Sequence, residues 1–118
     1  MKRTYIAGPM TGIPEFNFPA FNAAAARLRA EGHHVFNPAE RDIERHNGVD
    51  ISKGNATGSQ EHAVKEHGFS LRDALADDTA WICKEATAIA MLPGWENSKG
   101  ARAEWHLALA LGHEVIYL

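Results

Sequence analysis

The sequence predicts an α/β domain with a parallel sheet and helices on both faces, and three observations carry that reading. Short β-rich runs alternate with helical periods along the chain. Each strand-like run empties into a turn-rich loop, at Gly8-Pro9-Met10-Thr11-Gly12, at Asn37-Pro38 and at Pro93-Gly94. The resulting order, β-α-β-(loop)-α-β-α-β, is the one that right-handed crossovers wind into a parallel sheet. With 118 residues, 45% apolar and 23% charged, the chain makes one globular domain, residues 1–118, around one core.

The elements follow in order. Thr4 to Ala7 is β-rich and reads as the first strand. Phe18 to Glu31 reads as a helix with Phe21, Ala24, Ala25 and Leu28 on one face, closed by Gly32. His34-Val35-Phe36 makes a short second strand, stopped by Asn37-Pro38. Residues 39–70 are polar, Gly-containing and weakly patterned, and are expected to form a long loop or lid, with a short helix possible near Gln60 to His67. Helical spacing resumes from Leu71 to Lys84 through Leu75, Thr79 and Ile82, with Asp78 and Trp81 three apart on its expected surface. Ala86 to Leu92 is the next strand, and a helix capped at Asn97 or Ser98 runs to Gly112. Glu114 to Leu118 is the last strand.

One carboxylate in the last helix is badly placed. Three and four positions from Glu104 stand Ala101, Leu107 and Ala108, all apolar or small, so Glu104 points toward the core side. Solvated positions were available at Lys99, Arg102, Ala103 and His106, and nothing in the amphipathic pattern asks for an acid at 104. A buried, unpaired carboxylate is costly, and a cleft is the usual resolution; a boundary Glu paired with an Arg is the plain alternative. In a parallel sheet, ligands sit at the carboxyl ends of the strands, where the loops after Ala7, Phe36 and Leu92 converge. Glu104, Asp78 and the Gly8 loop can then share one crevice.

Composition narrows the function. Lys and Arg total 12 against 15 acids, the net charge is −3 and there is no basic cluster, which argues against a nucleic-acid polymer as partner. There is no long apolar span for a membrane, and with a single cysteine and no leader pattern the expected compartment is the cytoplasm. The seven histidines do not fall at a paired metal-ligand spacing with a third ligand, so no metal site is expected. The Gly8–Gly12 loop lacks the Lys of a P-loop and the spacing of the dinucleotide fingerprint, and Cys83, on an apolar stretch, reads as packing.

Three segments together, Tyr5-Ile6-Ala7-Gly8-Pro9-Met10-Thr11-Gly12, Phe36-Asn37-Pro38-Ala39-Glu40 and Leu92-Pro93-Gly94-Trp95 through Glu104, resemble the nucleoside 2-deoxyribosyltransferase superfamily, in particular its short phage-type members. The resemblance covers roughly residues 4 to 40 and 71 to 118, and the spacing from Ser98 to Glu104 is its most specific part. It implies a flavodoxin-like or Rossmann-like fold and a role for each matched position. Glu104 corresponds to the nucleophile, Asp78 to the acid, Tyr5 to the first-strand tyrosine near the sugar, and Ser98 to a hydroxyl on the ligand's 5′ side. Substrate would lie against Gly8, Pro9, Met10 and Gly12 of the first loop and against Trp95, Asn97, Ser98 and Gly100 of the last, Trp95 stacking on a base. Where superfamily hydrolases of deoxynucleoside monophosphates carry Ser and Arg, this chain has Pro9 and Thr11, which leaves recognition of a 5′-phosphate open.

The implied function is glycosyl transfer or hydrolysis at the N-glycosidic bond of a 2-deoxynucleoside or its 5′-monophosphate, by a homodimer or higher oligomer with no cofactor. Related enzymes often complete the site with a C-terminal segment of a neighbouring subunit; here the long loop is the expected substitute. The alternative, from another functional class, is a nucleotide-binding or nucleotide-sensing module of the same fold without turnover.

Overall fold

The computed structural model describes residues 1–118 and places four parallel strands in the order β2-β1-β3-β4. These are β1 (Arg3–Ala7), β2 (His34–Phe36), β3 (Ala88–Met91) and β4 (Glu114–Tyr117). Tyr5 is aligned with Phe36 on one side and Ile89 on the other, and Met91 with both Ala7 and Tyr117. The chain leaves β1 toward β2 and returns on the other side to β3, so a crevice opens beyond the carboxyl ends of β1 and β3. The five helices are α1 (Phe18–Ala30), α2 (Pro38–Arg45), α3 (Gln60–His67), α4 (Leu71–Lys84) and α5 (Lys99–Leu111). This is the predicted flavodoxin-like α/β domain.

Strand alternation sorts the core into two layers. Ile6 and Ala90 face one side and pack with Phe16, Phe21, Leu28 and Val35. Tyr5, Ala7, Ile89 and Met91 face the other, against Ile82 of α4 and Ala101 and Ala108 of α5. The alternation therefore puts Tyr5 on the side of α4 and α5, where both candidate acids lie.

The helix ends obey local chemistry. Ser70 caps α4 through the amide of Asp73, and Ser98 caps α5 through that of Ala101, which decides between Asn97 and Ser98. Gly112, at φ 76°, closes α5 in the left-handed region.

Residues 39–70 are not a long loop. Asn37 accepts a hydrogen bond from the amide of Ala39, Pro38 takes the first helical position, and α2 starts at once. The sequence pattern hid this helix because its inward face carries Pro38, Ala39 and Asp42 rather than a stripe of large apolar side chains. The short helix near Gln60 to His67 is present as α3, capped by Ser59. Between them the chain is held by Ile51 in the core, by buried Ser52 and Asn55, and by bonds from the amides of Gly12 and Glu15 to the carbonyls of Gly58 and Asn55. Buried side chains and long-range backbone bonds make this segment a wall of the domain rather than an arm.

Two further expectations are corrected. Asp78 lies on the buried face of α4, with Ala74 and Ile82, because the helix turns its 74/78/82 row inward. Cys83 is exposed, since the position after Ile82 turns away from the sheet.

Candidate functional site

A cavity of about 580 Å³ opens at the carboxyl ends of the strands, within the size range of small-molecule sites. Its acidic wall is built by three helices: α2 supplies Asp42, α4 supplies Asp78 and α5 supplies Glu104. The three residues are 5%, 7% and 6% exposed. Lys99, itself exposed, is the one basic side chain among the lining residues. Phe16, Phe21, Ile51 and Phe69 form an apolar part of the lining.

Each acid has a different partner. The hydroxyl of Tyr5 donates to Glu104 Oε2 at 2.7 Å. Arg45 Nη2 donates to Asp42 Oδ1, while Arg45 Nη1 bonds Asp77 Oδ2 at 2.6 Å and stands 3.6 Å from Asp78 Oδ1. Asp78 Oδ1 is fully buried without a hydrogen-bond partner. That is an expensive arrangement for an ionised carboxylate, and protonation or a ligand relieves it.

The charge states follow from this burial. Glu104 is pushed up to about 8, first by burial and further by the charges of Asp78 and Asp42, while the Tyr5 hydrogen bond pulls it back. Asp78 is pushed up to about 7, again by burial first, with Arg45 opposing. Asp42 is raised by burial and pulled back by Arg45. Burial and the neighbouring Glu104 and Asp78 charges hold the Tyr5 hydroxyl well above its ordinary value, so it acts as a donor. Near neutral pH the cavity thus holds protons on carboxyl groups that would be ionised in water, an arrangement suited to acid–base work.

The cavity gathers most of the residues expected from sequence. Tyr5, Gly8, Pro9, Met10, Asp78, Asn97, Ser98, Gly100 and Glu104 all line it. Two do not. Trp95 packs against Trp105 and Tyr117, with ring centroids 5.0 and 6.1 Å apart, because its short 3-10 turn faces the α5–β4 side of the sheet. Gly12 lies outside the lining, where its φ of 86° serves the turn that reaches Gly58. Gly8 lines the cavity, but its lack of a side chain is needed by the fold: a Cβ there would meet Leu92 Cβ at 2.7 Å.

Sequence reasoning missed Asp42 and Arg45. Their signal is an Asp/Arg pair three apart just after an Asn-Pro helix start, and the lack of an apolar stripe hides the helix that carries it.

No curated protein and no solved structure matches the chain. A family model described as a domain of unknown function, DUF4406, matches residues 2–117, and the chain belongs to that family.

Proposed function

We propose that the protein transfers or hydrolyses at the N-glycosidic bond of a 2-deoxynucleoside or its 5′-monophosphate, with Glu104 as nucleophile. The observation that carries this reading is the meeting of two buried carboxyls, Glu104 and Asp78, on the wall of one cavity, with the Tyr5 hydroxyl on Glu104. In the proposed reaction Glu104, ionised by loss of its proton to solvent, bonds through one oxygen to the anomeric carbon as the carbon–nitrogen bond breaks. The electron pair leaves with the base, and the proton of Asp78 neutralises it. The glycosyl ester then passes to water or to a second base, with Asp78 recovering a proton from the attacking group. Tyr5 steadies Glu104 as an anion, and the positive charge developing on the sugar favours ionisation of the same group.

The ligand fits a small molecule rather than a polymer. Three buried acids line the cavity and the net charge is −3, both unfavourable to a phosphate backbone. No helix is long and apolar enough to cross a membrane. A homodimer or higher oligomer is part of the same proposal, and the exposed Leu109, Leu111 and Tyr117 support it.

One observation favours the second reading, a binding or sensing module. In the free cavity Glu104 is held up near 8, and a neutral acid hydrogen-bonds without attacking. Incubation with deoxynucleosides and their monophosphates separates the two. Release of free base, with a 2-fluoro-2-deoxy sugar trapped on Glu104, supports the enzyme. Tight binding without base release or labelling supports the module.

A further inference from the structure

The α2–α4 side of the cavity has its own chemistry. Asp42 lies one helical turn beyond the Asn37 cap and is almost wholly buried. Arg45 donates to its Oδ1, while its Oδ2 takes no hydrogen bond from the protein and, unlike the Asp78 oxygen, is not fully buried. Beside it stands Asp78, with one fully buried oxygen that takes no hydrogen bond and has only the Arg45 guanidinium 3.6 Å away. Arg45 approaches both residues and is itself held by Asp77, so it adds no free donor to the cavity. This wall therefore offers carboxyl oxygens that the protein does not hydrogen-bond, and a ligand that brings an N–H to Asp42 beside an acceptor for the Asp78 proton answers both. Glu104 and Tyr5 reach the same cavity from α5 and β1.

We propose that Asp42 reads the leaving base, accepting a hydrogen bond from an N–H on its edge, next to the acceptor atom that Asp78 protonates. The proposal rests on the glycosidic reading for the orientation of the ligand, with the sugar toward Glu104 and the base toward α2 and α4. It makes Asp42 a specificity residue. Arg45 is a positioning residue that keeps Asp42 charged and turned to the cavity. A buried acceptor penalises a ligand that lacks the matching donor, because the acceptor is then left dry and unpaired.

Calorimetric titration of the wild-type protein with free bases tests this without turnover. Hypoxanthine, adenine and thymine offer an N–H on the six-membered-ring edge; purine and 3-methylthymine lack it there and keep only the N–H of the nitrogen that would bear the sugar. The expected result is at least about tenfold weaker binding of the two analogues, with the difference collapsing in Asp42→Asn. Binding of the analogues within about twofold of their parents, unchanged discrimination in Asp42→Asn, or no binding of any base would overturn the assignment. The wild-type comparison stands even where the variant folds poorly. Base release from deoxynucleosides is measured separately. Discrimination without release leaves Asp42 as the base reader and removes the glycosidic reading, whereas release without discrimination does the reverse.

Discussion

Tyr5 and Glu104, 99 positions apart in the chain, are joined by a 2.7 Å hydrogen bond inside the core, from the central strand β1 to the second turn of α5. Both side chains are buried, so the bond couples the sheet to the candidate nucleophile. Tyr5→Phe keeps the ring against Phe36, 5.3 Å away, and removes only the donor. Glu104 should then titrate higher still, and stability should fall by about 1–3 kcal/mol for the unpaired buried oxygen. Carbon-13 carboxyl titration and urea unfolding measure the two effects; an unmoved Glu104 titration contradicts the coupling.

Glu104→Gln should stabilise the protein, and more so in alkali. Glu104 rises from 4.5 to about 8 on folding, and Asp78 from 3.8 to about 7. Below the unfolded values both states hold the protons. Between the unfolded and folded values only the folded state does, so stability falls as pH rises through that window, by up to about 1.4 kcal/mol per pH unit for each group. The groups facing Glu104 are Tyr5, Asp78 and Asp42, with Arg45 and Asp77 behind them, and Gln at 104 removes the proton-linked charge while preserving the contact with Tyr5. Thermal unfolding across pH should show a shallower decline for the variant. Parallel wild-type and variant curves would contradict this account.

Ser98→Ala should cost about 1 kcal/mol, the worth of the cap on α5. Because Glu104 sits one and a half turns beyond Ser98, loosening this end should also weaken ligand binding. Denaturation midpoints and titration with the same ligand read both effects from one preparation.

Gly58→Ala should destabilise far more than Gly12→Ala. Both glycines have positive φ, 68° and 86°, yet a Cβ at 58 would lie 2.1 Å from the Ile13 carbonyl oxygen and one at 12 would meet nothing within 4 Å. The Gly12 change is expected to cost about 1–2 kcal/mol for left-handed backbone, and the Gly58 change several kcal/mol, since backbone must shift. Equal losses would show that the wall formed by residues 46–59 is not packed on the first loop.

That wall should be protected against hydrogen exchange. The amides of Gly12 and Glu15, bonded to the carbonyls of Gly58 and Asn55, are the reporters. Exchange at the rate of an open loop would restore the mobile lid expected from sequence.

Local chemistry alone determined much of this molecule. Strands of β-rich residues, caps at Ser70 and Ser98, a stop at Gly112 and the apolar face of α1 depend on neighbours within a few positions, so periodicity and turn residues disclosed the α/β order. The misplaced Glu104 was legible for the same reason: a helix fixes which residues share its face. Only the tertiary structure decided what depends on distant partners. The inward face of α2 is polar because Asp42 meets the cavity and Arg45 reaches across to Asp77 and Asp78 of α4, so no hydrophobic stripe announces it. Trp95 left the candidate site because Trp105 and Tyr117 receive it, and Asp78, expected in the crevice but on the surface of its helix, is buried there because α4 turns that row toward Tyr5 and Arg45. The fold order is written in local preferences. The wall that would read a ligand is set by long-range charge pairing and burial, which no local window contains.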